Sequence, residues 1–449
     1  MSTTELYREH LETLDRYLGQ SLERAEKQGL PLEGVLFHSG RAEYYPADDQ
    51  EIVFRAAPHF LRWVPLNGPE HLVLARPGQR PQVVRVQPQD YWYDTTPPAE
   101  SYWEGEVDLK EAASFAEGLA ALGSLNGIGY VGSCPEAAQE AGIPTENVAP
   151  DRLIAPLDWF RAYKTSHEVG QLTRAAEKAA AGHEAARQAF AAGASEREIH
   201  WTYLEASDQL EWEIPYGTIV ALDDRGAVLH YQHKRGREAA PGNVLLLDAG
   251  AAWEGQAADI TRTWARPETD PVFLQLLTGM DALERRLVAL CTPGRPYLEV
   301  HLEAHRGVAE LLVEGGLITG SPEETFEKGL THPFLPHGVG HQLGLQVHDV
   351  GGHQAGPDGG KVPPPQDHPY LRNTRILEPG QVVTIEPGLY FIPMLLEPFR
   401  SGPHKELFDW DLIDRLTPCG GIRIEDNILC TEGEPLDFTR GLIEGPRGS

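Results

Sequence analysis

Two acidic residues in the middle of the chain adjoin strand-like segments. The apolar run 244–247 leads into Asp248, and Asp259 directly precedes the β-branched run 260–263, with glycines between the two acids. This pattern predicts two antiparallel strands joined by a glycine-containing turn, which brings the two carboxylates together. Because adjacent carboxylates repel each other, a site that keeps both ionised normally holds cations. The segment therefore predicts one part of a cation site.

A glycine-rich segment further along the chain carries two histidines. His337 and His341 are four residues apart, a spacing that on a helix would form a zinc-binding pair. Glycine disfavours helix, and three glycines lie in or just after this stretch: Gly338, Gly340 and Gly344. We predict instead a strand or loop whose backbone approaches another group closely. A lone histidine is more often a hydrogen-bonded core residue than a ligand, so neither residue is assigned on its own.

Two later segments each present a glutamate in a strand-like pattern. Thr384 alternates with Glu386 in residues 381–388, and Arg423 alternates with Glu425 in residues 420–427. Alternation places each pair on one face of a strand, opposite an apolar face. A single strand glutamate is usually solvated, and a single aspartate can serve a turn. It is the order Asp, Asp, His, Glu, Glu that indicates a common site.

The elements that must position these residues form two regions. In the first, leucines at helical spacing predict a helix over residues 5–28, and a second helical pattern covers residues 108–122. Short apolar segments predict strands at 35–37, 72–74, 83–86 and 128–132. Alternating strands and helices predict an α/β domain over residues 1–160.

Capping signals and antiparallel strands characterise the second region. Helix starts are predicted at Thr165-x-x-Glu168, Ser195-x-x-Glu198, Asp270-Pro271, Tyr297 and Ser321-Pro322. Strand segments lie at 218–220, 244–264, 382–386 and 421–429. Helices and antiparallel hairpins in one unit predict an α+β domain over residues 161–449.

The composition excludes several classes of function. The 449-residue chain carries a net charge of −29, which makes it a poor candidate for binding nucleic acid or anionic membranes. No run approaches the ~18 apolar residues of a membrane span, and the first residues contain no apolar signal core. The four cysteines include no CxxC pair and are too few for a disulfide framework. We therefore expect a cytoplasmic protein without nucleic-acid or membrane partners.

The ordered set of acids and histidine resembles that of the metallopeptidases with the pita-bread fold, which include methionine aminopeptidase, aminopeptidase P and prolidase. The family positions match Asp248, Asp259, His341, Glu386 and Glu425. The resemblance implies an α+β protein with a C-terminal pita-bread (creatinase/aminopeptidase) domain, preceded by the N-terminal domain of prolidase and aminopeptidase P. Segment 331–352 and the long separation of the two glutamates are most similar to bacterial prolidase.

This resemblance implies two divalent metal ions held by the five matched residues. Asp259 and Glu425 would bridge the ions, Asp248 would complete one site, and His341 with Glu386 would complete the other. Four carboxylates supply four negative charges, which two divalent cations neutralise. The oxygen-rich donor set suits Mn²⁺ or Co²⁺, with Zn²⁺ or Fe²⁺ as alternatives, and we expect Mn²⁺. A hydroxide bridging the ions would attack the scissile carbonyl.

Further residues match catalytic and pocket positions of the family. His230 and His348 match histidines that support the reaction from beside the metal ions, and His337 matches a pocket histidine that contacts substrate. Glu386 is expected to take part in proton transfer. Arg423 shares a strand face with the last glutamate and is expected to orient ligand carboxylates.

The activity implied is that of a dipeptidase that hydrolyses Xaa-Pro dipeptides. Arg372 matches the arginine that holds the C-terminal carboxylate of the substrate, which arginine can grip bidentately. One alternative is an aminopeptidase P-like enzyme acting on longer Xaa-Pro peptides, which cleavage of tripeptides would reveal. Another is a non-catalytic binding protein on the same fold, which the five retained ligand positions argue against. The resemblance also implies a homodimer and a side activity on organophosphorus triesters.

Overall fold

The computed structural model describes residues 1–92, 101–238 and 241–443. The chain divides into two compact units, residues 1–171 with 354–361, and residues 172–353 with the described residues after 361. The sequence analysis placed the domain boundary between residues 160 and 161, which remains a prediction, and it did not foresee the separate segment 354–361. All four cysteines are free. None of the helices in the described parts of the chain combines the length and the apolar character of a membrane span.

The first unit is built on a five-stranded sheet. Its elements up to residue 161 are α1 (Thr3–Lys27), β1 (Gly34–His38), α2 (Pro58–Leu61), β2 (Leu72–Ala75), β3 (Gln82–Val86), β4 (Asp108–Ala112), α3 (Phe115–Leu122), β5 (Ile128–Val131), α4 (Pro135–Glu140) and α5 (Asp151–Arg161). The strand order is β4-β3-β2-β1-β5, and the two outer pairs are parallel. Val35 and Phe37 pack with α1 and α5, whereas Leu36 packs with α3 and α4. Strand alternation thus covers the sheet with helices on both faces.

One predicted helix of this unit is wrong. The pattern over residues 108–122 predicted a single helix, but Asp108–Ala112 forms β4, and the helix begins only at Phe115. Strand β4 pairs in parallel with β3, from Gln82 opposite Asp108 onwards. Ser114 then caps α3 by accepting the backbone N–H of Glu117. Tertiary pairing outweighed the local helical pattern.

The second part of the chain contains seven helices and twelve strands in its described residues: α6 (Ser166–Ala191), α7 (Glu196–Ala206), β6 (Ile219–Leu222), β7 (Val244–Asp248), β8 (Ala252–Trp253), β9 (Gln256–Ala257), β10 (Thr261–Ala265), α8 (Pro271–Val288), α9 (Tyr297–Glu314), α10 (Pro322–Glu327), β11 (Gln354–Gly356), β12 (Gly359–Lys361), β13 (Val382–Ile385), β14 (Gly388–Tyr390), α11 (Pro393–Arg400), α12 (Trp410–Leu416), β15 (Gly421–Arg423), β16 (Asp426–Leu429) and β17 (Leu436–Asp437). The first turns of α6 belong to the first unit, as does the β11–β12 hairpin. The predicted helix starts are confirmed, because Ser195, Asp270 and Ser321 each cap a helix by accepting a backbone N–H.

Short antiparallel sheets surround the predicted site residues of the second unit. The order β10-β7-β6 forms one sheet, β13-β16-β17 another, and β14 pairs with β15. Single bridges extend these sheets, one between Thr261 and Glu425 and one between Gln342 and Val383. The bridges place residues from distant parts of the sequence on adjoining strands. Helices α8 and α9 pack against the apolar faces of these strands in one core that includes Leu283, Val308 and Ile424.

Candidate metal centre

The two aspartates lie at the ends of an antiparallel pair of strands: Asp248 is the last residue of β7, and Asp259 precedes β10 by two residues. Strand β7 pairs with β10 so that Asp248 is opposite Thr261. The short hairpin β8–β9 makes the connection and turns at Glu254 and Gly255, whose φ angles are 48° and 89°. Two consecutive positive φ angles are typical of the tightest β-hairpin turns. The turn therefore returns the chain so that the second acid comes back beside the first.

Asp259 and Glu425 are brought together by pairing across the sheet. The backbone N–H of Asp259 donates to Asn427 Oδ1 at 3.0 Å, and Asn427 Nδ2 donates to the Asp259 carbonyl. The backbone N–H of Glu425 donates to the carbonyl of Thr261 at 3.0 Å, and Thr261 Oγ1 donates to Glu425 Oε2 at 2.7 Å. Both carboxylates are buried. Their positions are therefore determined by strand pairing and by one side-chain amide.

The glycine-rich segment packs closely against β13, as its glycines predicted. A Cβ atom on Gly340 would lie 2.2 Å from the carbonyl oxygen of Thr384 and 2.3 Å from Tyr297 Oη, and the φ angle of this glycine is 149°. The next residue, His341, is held on both sides, since its N–H donates to Thr384 Oγ1 at 3.1 Å and its carbonyl accepts the Thr384 N–H at 2.9 Å. Only glycine permits this approach.

His341 directs one ring nitrogen at the carboxylates. Its Nδ1 lies 3.0 Å from the carbonyl of Gln342 and donates to it, which leaves Nε2 facing the carboxylates. Nε2 is 3.4 Å from Asp259 Oδ2 and 3.8 Å from Glu386 Oε1. Ligand atoms of Asp259, His341 and Glu425 all lie within 4.8 Å of one another. Bonds of about 2.0–2.2 Å to one ion place two donors up to about 4.4 Å apart, so this group is close to ligand geometry.

The electrostatics of the cluster favour a bound cation. Burial raises the pKa of Glu386 to about 7 and that of Glu425 well above its usual range. Burial also raises the pKa of Asp248, whereas the hydrogen bond and charge of His341 outweigh burial and lower that of Asp259. Buried carboxylates in mutual contact cannot all ionise without positive partners. Asp248 Oδ1 is buried and accepts no hydrogen bond from the described residues, so the donor set fits divalent cations.

Arg423 supplies the fixed positive charge beside the cluster. Its Nη2 donates to Asp248 Oδ2 at 2.8 Å, its Nη1 to Tyr390 Oη at 2.9 Å and its Nε to Thr261 Oγ1 at 3.2 Å. Tyr390 in turn donates to His337 Nε2 at 2.8 Å, and His337 Nδ1 donates to a backbone carbonyl. Arg423 was predicted to orient a ligand carboxylate, and the carboxylate that it contacts is that of Asp248.

The other predicted site residues lie around the cluster. His348 and Arg372 are exposed, and so is His230. The rings of His348 and His341 are perpendicular with centroids 4.5 Å apart. Partial burial, His341 and Arg372 lower the pKa of His348 to about 4, and the charge of His230 acts on it in the same direction. The structure thus places these residues within electrostatic range of one another, at the solvent side of the buried acids.

Sequence reasoning missed two tyrosines of the site whose hydroxyl groups are buried. The hydroxyl of Tyr216 lies near Asp248 and Asp259, and burial with these two charges raises its pKa well above the usual value. Tyr390 joins Arg423 to the pocket histidine through its hydroxyl. Neither tyrosine has a spacing that distinguishes it from a core aromatic residue, so only the packed structure shows their role.

Two protein families match the chain. Residues 170–432 match the family described as "Metallopeptidase family M24", and residues 5–159 match "Xaa-Pro dipeptidase, N-terminal domain". Among curated proteins, the "Xaa-Pro dipeptidase" of Stenotrophomonas maltophilia is 39% identical over 99% of this chain and 98% of its own. That of Erwinia tasmaniensis is 40% identical over 98% of this chain and 99% of its own.

Solved structures share the fold at lower identity. Zinc-substituted aminopeptidase P of E. coli in complex with product superposes with a TM-score of 0.72 at 24% identity, covering 96% of each chain. Proline aminopeptidase P II from Yersinia pestis has a TM-score of 0.71 at 23% identity, covering 96% of this chain and 97% of its own. At these identities the likeness concerns the fold alone.

Proposed function

The chain belongs to metallopeptidase family M24, and from that premise we propose that this metallo-dipeptidase hydrolyses Xaa-Pro dipeptides. The observation that carries the proposal is the match along nearly the whole chain to relatives named for that activity, at 39–40% identity. The match includes the N-terminal region, which corresponds to a domain family described from Xaa-Pro dipeptidases. The grouping of Asp259, His341 and Glu425, with Glu386 Oε1 3.8 Å from His341 Nε2, supports a metal-dependent peptidase from geometry.

The metal centre proposed here contains two divalent ions. Asp248, Asp259, His341, Glu386 and Glu425 would hold them, with Asp259 and Glu425 between the two positions. The donors are mostly carboxylate oxygens, which suit Mn²⁺ better than soft-ligand metals. Such ions supply Lewis acidity, since they lower the pKa of water toward about 7 and polarise a carbonyl group.

The surrounding side chains complete the proposed mechanism. Glu386 is only half-buried, so its carboxylate can carry a proton to the departing imino nitrogen of proline. His348 and His230 lie on the solvent side, where an N–H can stabilise negative charge that develops on the substrate carbonyl oxygen. Arg423 orients Asp248 and, through Tyr390, the pocket residue His337.

Recognition of a dipeptide requires contacts at both of its ends. The Xaa-Pro bond lacks the N–H that most peptide bonds offer, so the terminal groups of the substrate carry more of the recognition. Arg372 is exposed and close enough to His348 to act on its pKa, and we assign it to the C-terminal carboxylate. A bound tripeptide would place that carboxylate one residue further away.

Other sequence-based expectations stay predictions. The aminopeptidase P-like alternative has support from the fold of its solved relatives but not from closer sequence similarity. The five converging donors argue against a non-catalytic binding protein. Activity toward organophosphorus triesters, a homodimer and a cytoplasmic location have no direct support in the structure.

The test of the function is hydrolysis by metal-stripped protein after Mn²⁺ is added back. A Xaa-Pro dipeptide should be cleaved only with the metal, and the corresponding Xaa-Pro tripeptide should be cleaved much more slowly. Equal or faster cleavage of the tripeptide would replace the proposal with the aminopeptidase alternative. Two bound metal ions without cleavage of either peptide would overturn the substrate class.

Arg372→Ala tests the assignment of the substrate carboxylate. We expect KM for the dipeptide to rise at least tenfold with little change in kcat, because a charge-assisted hydrogen bond is lost on binding. Arg285→Ala, which removes an exposed arginine on α8, is the matched control and should leave KM unchanged. An unchanged KM in the Arg372→Ala variant would exclude the role.

A further inference from the structure

Four histidines from three parts of the second unit form a cluster that the proposed function does not use. His301 and His305 lie one turn apart on α9, and His368 packs against both, with ring centroids 4.6 Å and 4.8 Å away. His332 lies beside them, 5.3 Å from His305 and 5.4 Å from His368 between ring centroids. The i,i+4 spacing on a real helix is the one that presents two imidazoles to a single ion.

The nitrogens of three of these rings converge. One nitrogen each of His301, His305 and His368 lies within 4.8 Å of the others, and His301 Nε2 is 3.0 Å from His368 Nδ1. Imidazole nitrogens bound at about 2.0–2.1 Å to one tetrahedral ion lie about 3.3 Å apart. The existing distance is therefore near that of two ligands on one ion, and little movement of the rings is needed.

The hydrogen bonding of the cluster is incomplete in a way that suits a ligand site. His305 Nδ1 lies 2.8 Å from Thr331 Oγ1, which fixes the ring and leaves Nε2 for another partner. His301 is 1% exposed, and its Nδ1 has no hydrogen-bond partner among the described residues. His301 Nε2, the atom that faces the other rings, lies against His368 Nδ1, and an ion between the two rings would take the place of this contact.

Burial disfavours the charged form of all four rings. Burial lowers the pKa of His301 to about 3, and burial with the neighbouring histidines lowers that of His305 further below its usual range. Burial lowers the pKa of His332 and His368 as well, although Asp367 acts in the opposite direction on both. Neutral imidazole is the ligand form of histidine.

We propose that His301, His305 and His368 form a second metal site, selective for Zn²⁺ and similar transition metals. The site shares no ligand with the carboxylate centre, and its donor chemistry is different, because imidazole nitrogen suits Zn²⁺, Ni²⁺ or Cu²⁺ rather than Mn²⁺. His332 is exposed at the solvent side of the cluster, where a fourth ligand would enter.

A metal at this site would join α9 to a loop. The backbone N–H of His368 donates to the carbonyl of Pro365 at 2.9 Å, and the N–H of Leu371 donates to the carbonyl of His368 at 3.1 Å, so His368 lies in a compact turn. Coordination by His301 and His305 would hold this turn against the helix. The proposed role is structural, and the site takes no part in the hydrolysis itself.

The test is the number of Zn²⁺ ions bound per chain, measured by elemental analysis after equilibration with Zn²⁺ and removal of free metal. The wild-type protein should bind three ions, and His368→Gln and His301→Gln should each bind two. His404→Gln, a histidine elsewhere in this unit, is the matched control and should bind three. His368 is only half-buried, so His368→Gln decides the question if His301→Gln does not fold.

A second variant separates this site from the carboxylate centre. Asp259→Asn should bind less Zn²⁺ than the wild type, and adding His368→Gln to it should remove one further ion. Equal Zn²⁺ content in the wild type and in His368→Gln would overturn the proposal and leave the cluster as a hydrogen-bonded packing feature. The proposal would also be overturned if the double variant bound as much Zn²⁺ as Asp259→Asn alone.

Discussion

Arg423 determines the charge balance of the candidate metal centre at the scale of single residues. It is 4% exposed and bonds Asp248, Tyr390 and Thr261 at once. Burial disfavours its charge, but Tyr390, Asp248 and Glu386 raise its pKa well above the usual value. One fixed positive charge cannot balance the four carboxylates, which is the physical reason why the site requires cations.

His348→Ala tests the proposed stabilisation of the reacting carbonyl. We expect kcat to fall at least tenfold with metal content unchanged, since one donor to a developing oxyanion is worth about 2.7–4 kcal/mol. The measurements are the kcat for a Xaa-Pro dipeptide and the metal content of the variant. Wild-type turnover would exclude the role, and a loss of metal would show that His348 acts instead by supporting His341.

At the scale of elements, pairing of β13 with the glycine-rich segment positions His341. The N–H of Glu386 donates to the carbonyl of Val339 at 2.8 Å, and the N–H of Leu343 donates to the carbonyl of Val382 at 3.0 Å. The same pairing thus places the histidine and one glutamate of the cluster. Any change that separates these two segments should affect both ligands together.

Gly340→Ala tests that dependence. The new Cβ would lie 2.2 Å from the Thr384 carbonyl oxygen, so the segment must shift, at a cost of about 1–3 kcal/mol or more. We expect a lower thermal midpoint and a reduced metal content. Gly441→Ala, where no atom lies within 4 Å of the added Cβ, is the control and should change neither. Full metal content in Gly340→Ala would contradict the argument.

A buried histidine beside β2 and β3 in the first unit predicts that the stability of the protein depends on pH. His71 is buried beside these strands, and its Nδ1 accepts the backbone N–H of Val86 at 3.0 Å. Burial, with the charges of Arg85 and His38, lowers its pKa to about 4. Between about pH 6.5 and 4 the unfolded chain binds the proton at this histidine and the folded chain does not. The contribution of His71 to the free energy of unfolding is therefore complete above pH 6.5 and is lost as the pH falls toward 4.

The His71→Gln variant measures this contribution. In the wild type, one such group lowers the free energy of unfolding by up to about 1.4 kcal/mol per pH unit in that window. When the free energy of unfolding is measured with urea at pH 7, 6 and 5, it should change less with pH in the variant than in the wild type. His233→Gln, an exposed histidine, should keep the wild-type slope. An identical slope in His71→Gln would show that folding does not lower the pKa of His71.

At the scale of the whole molecule, acidic charge and metal binding are coupled. The chain carries 67 acidic and 38 basic residues, so self-repulsion opposes the compact state. The candidate metal centre concentrates four of these acids in one place, two of them nearly fully buried. Divalent ions would relieve the strongest of these repulsions and should therefore stabilise the fold.

Removal of metal should lower the thermal midpoint, and Mn²⁺ should restore it. A ligand that binds only the folded protein contributes about 2.7 kcal/mol at a concentration 100 times its Kd. We expect Glu425→Gln to show a smaller Mn²⁺-dependent rise, whereas Glu299→Gln, an exposed residue on α9, should match the wild type. Equal midpoints with and without Mn²⁺ in the wild type would contradict the proposed centre.

The local features of this protein could be predicted from its amino-acid sequence. The capping residues at 195, 270 and 321 and the hairpin that carries Asp248 follow from interactions between near neighbours. The glycines around Gly340 signalled a close backbone approach, although not that its partner is Thr384. The four acids and one histidine could be proposed as one set because their order along the chain is specific. Such features are readable because their cause lies within a few residues.

The contacts between residues that are distant along the chain could be recognised only in the folded protein. Strand β4 formed in place of a predicted helix because β3 offers it a partner. The roles of Tyr390, Tyr216 and the histidine cluster depend on residues that are distant in the sequence. The bond between Arg423 and Asp248 likewise joins residues 175 positions apart. Packing and desolvation act through space, and no sequence spacing records them.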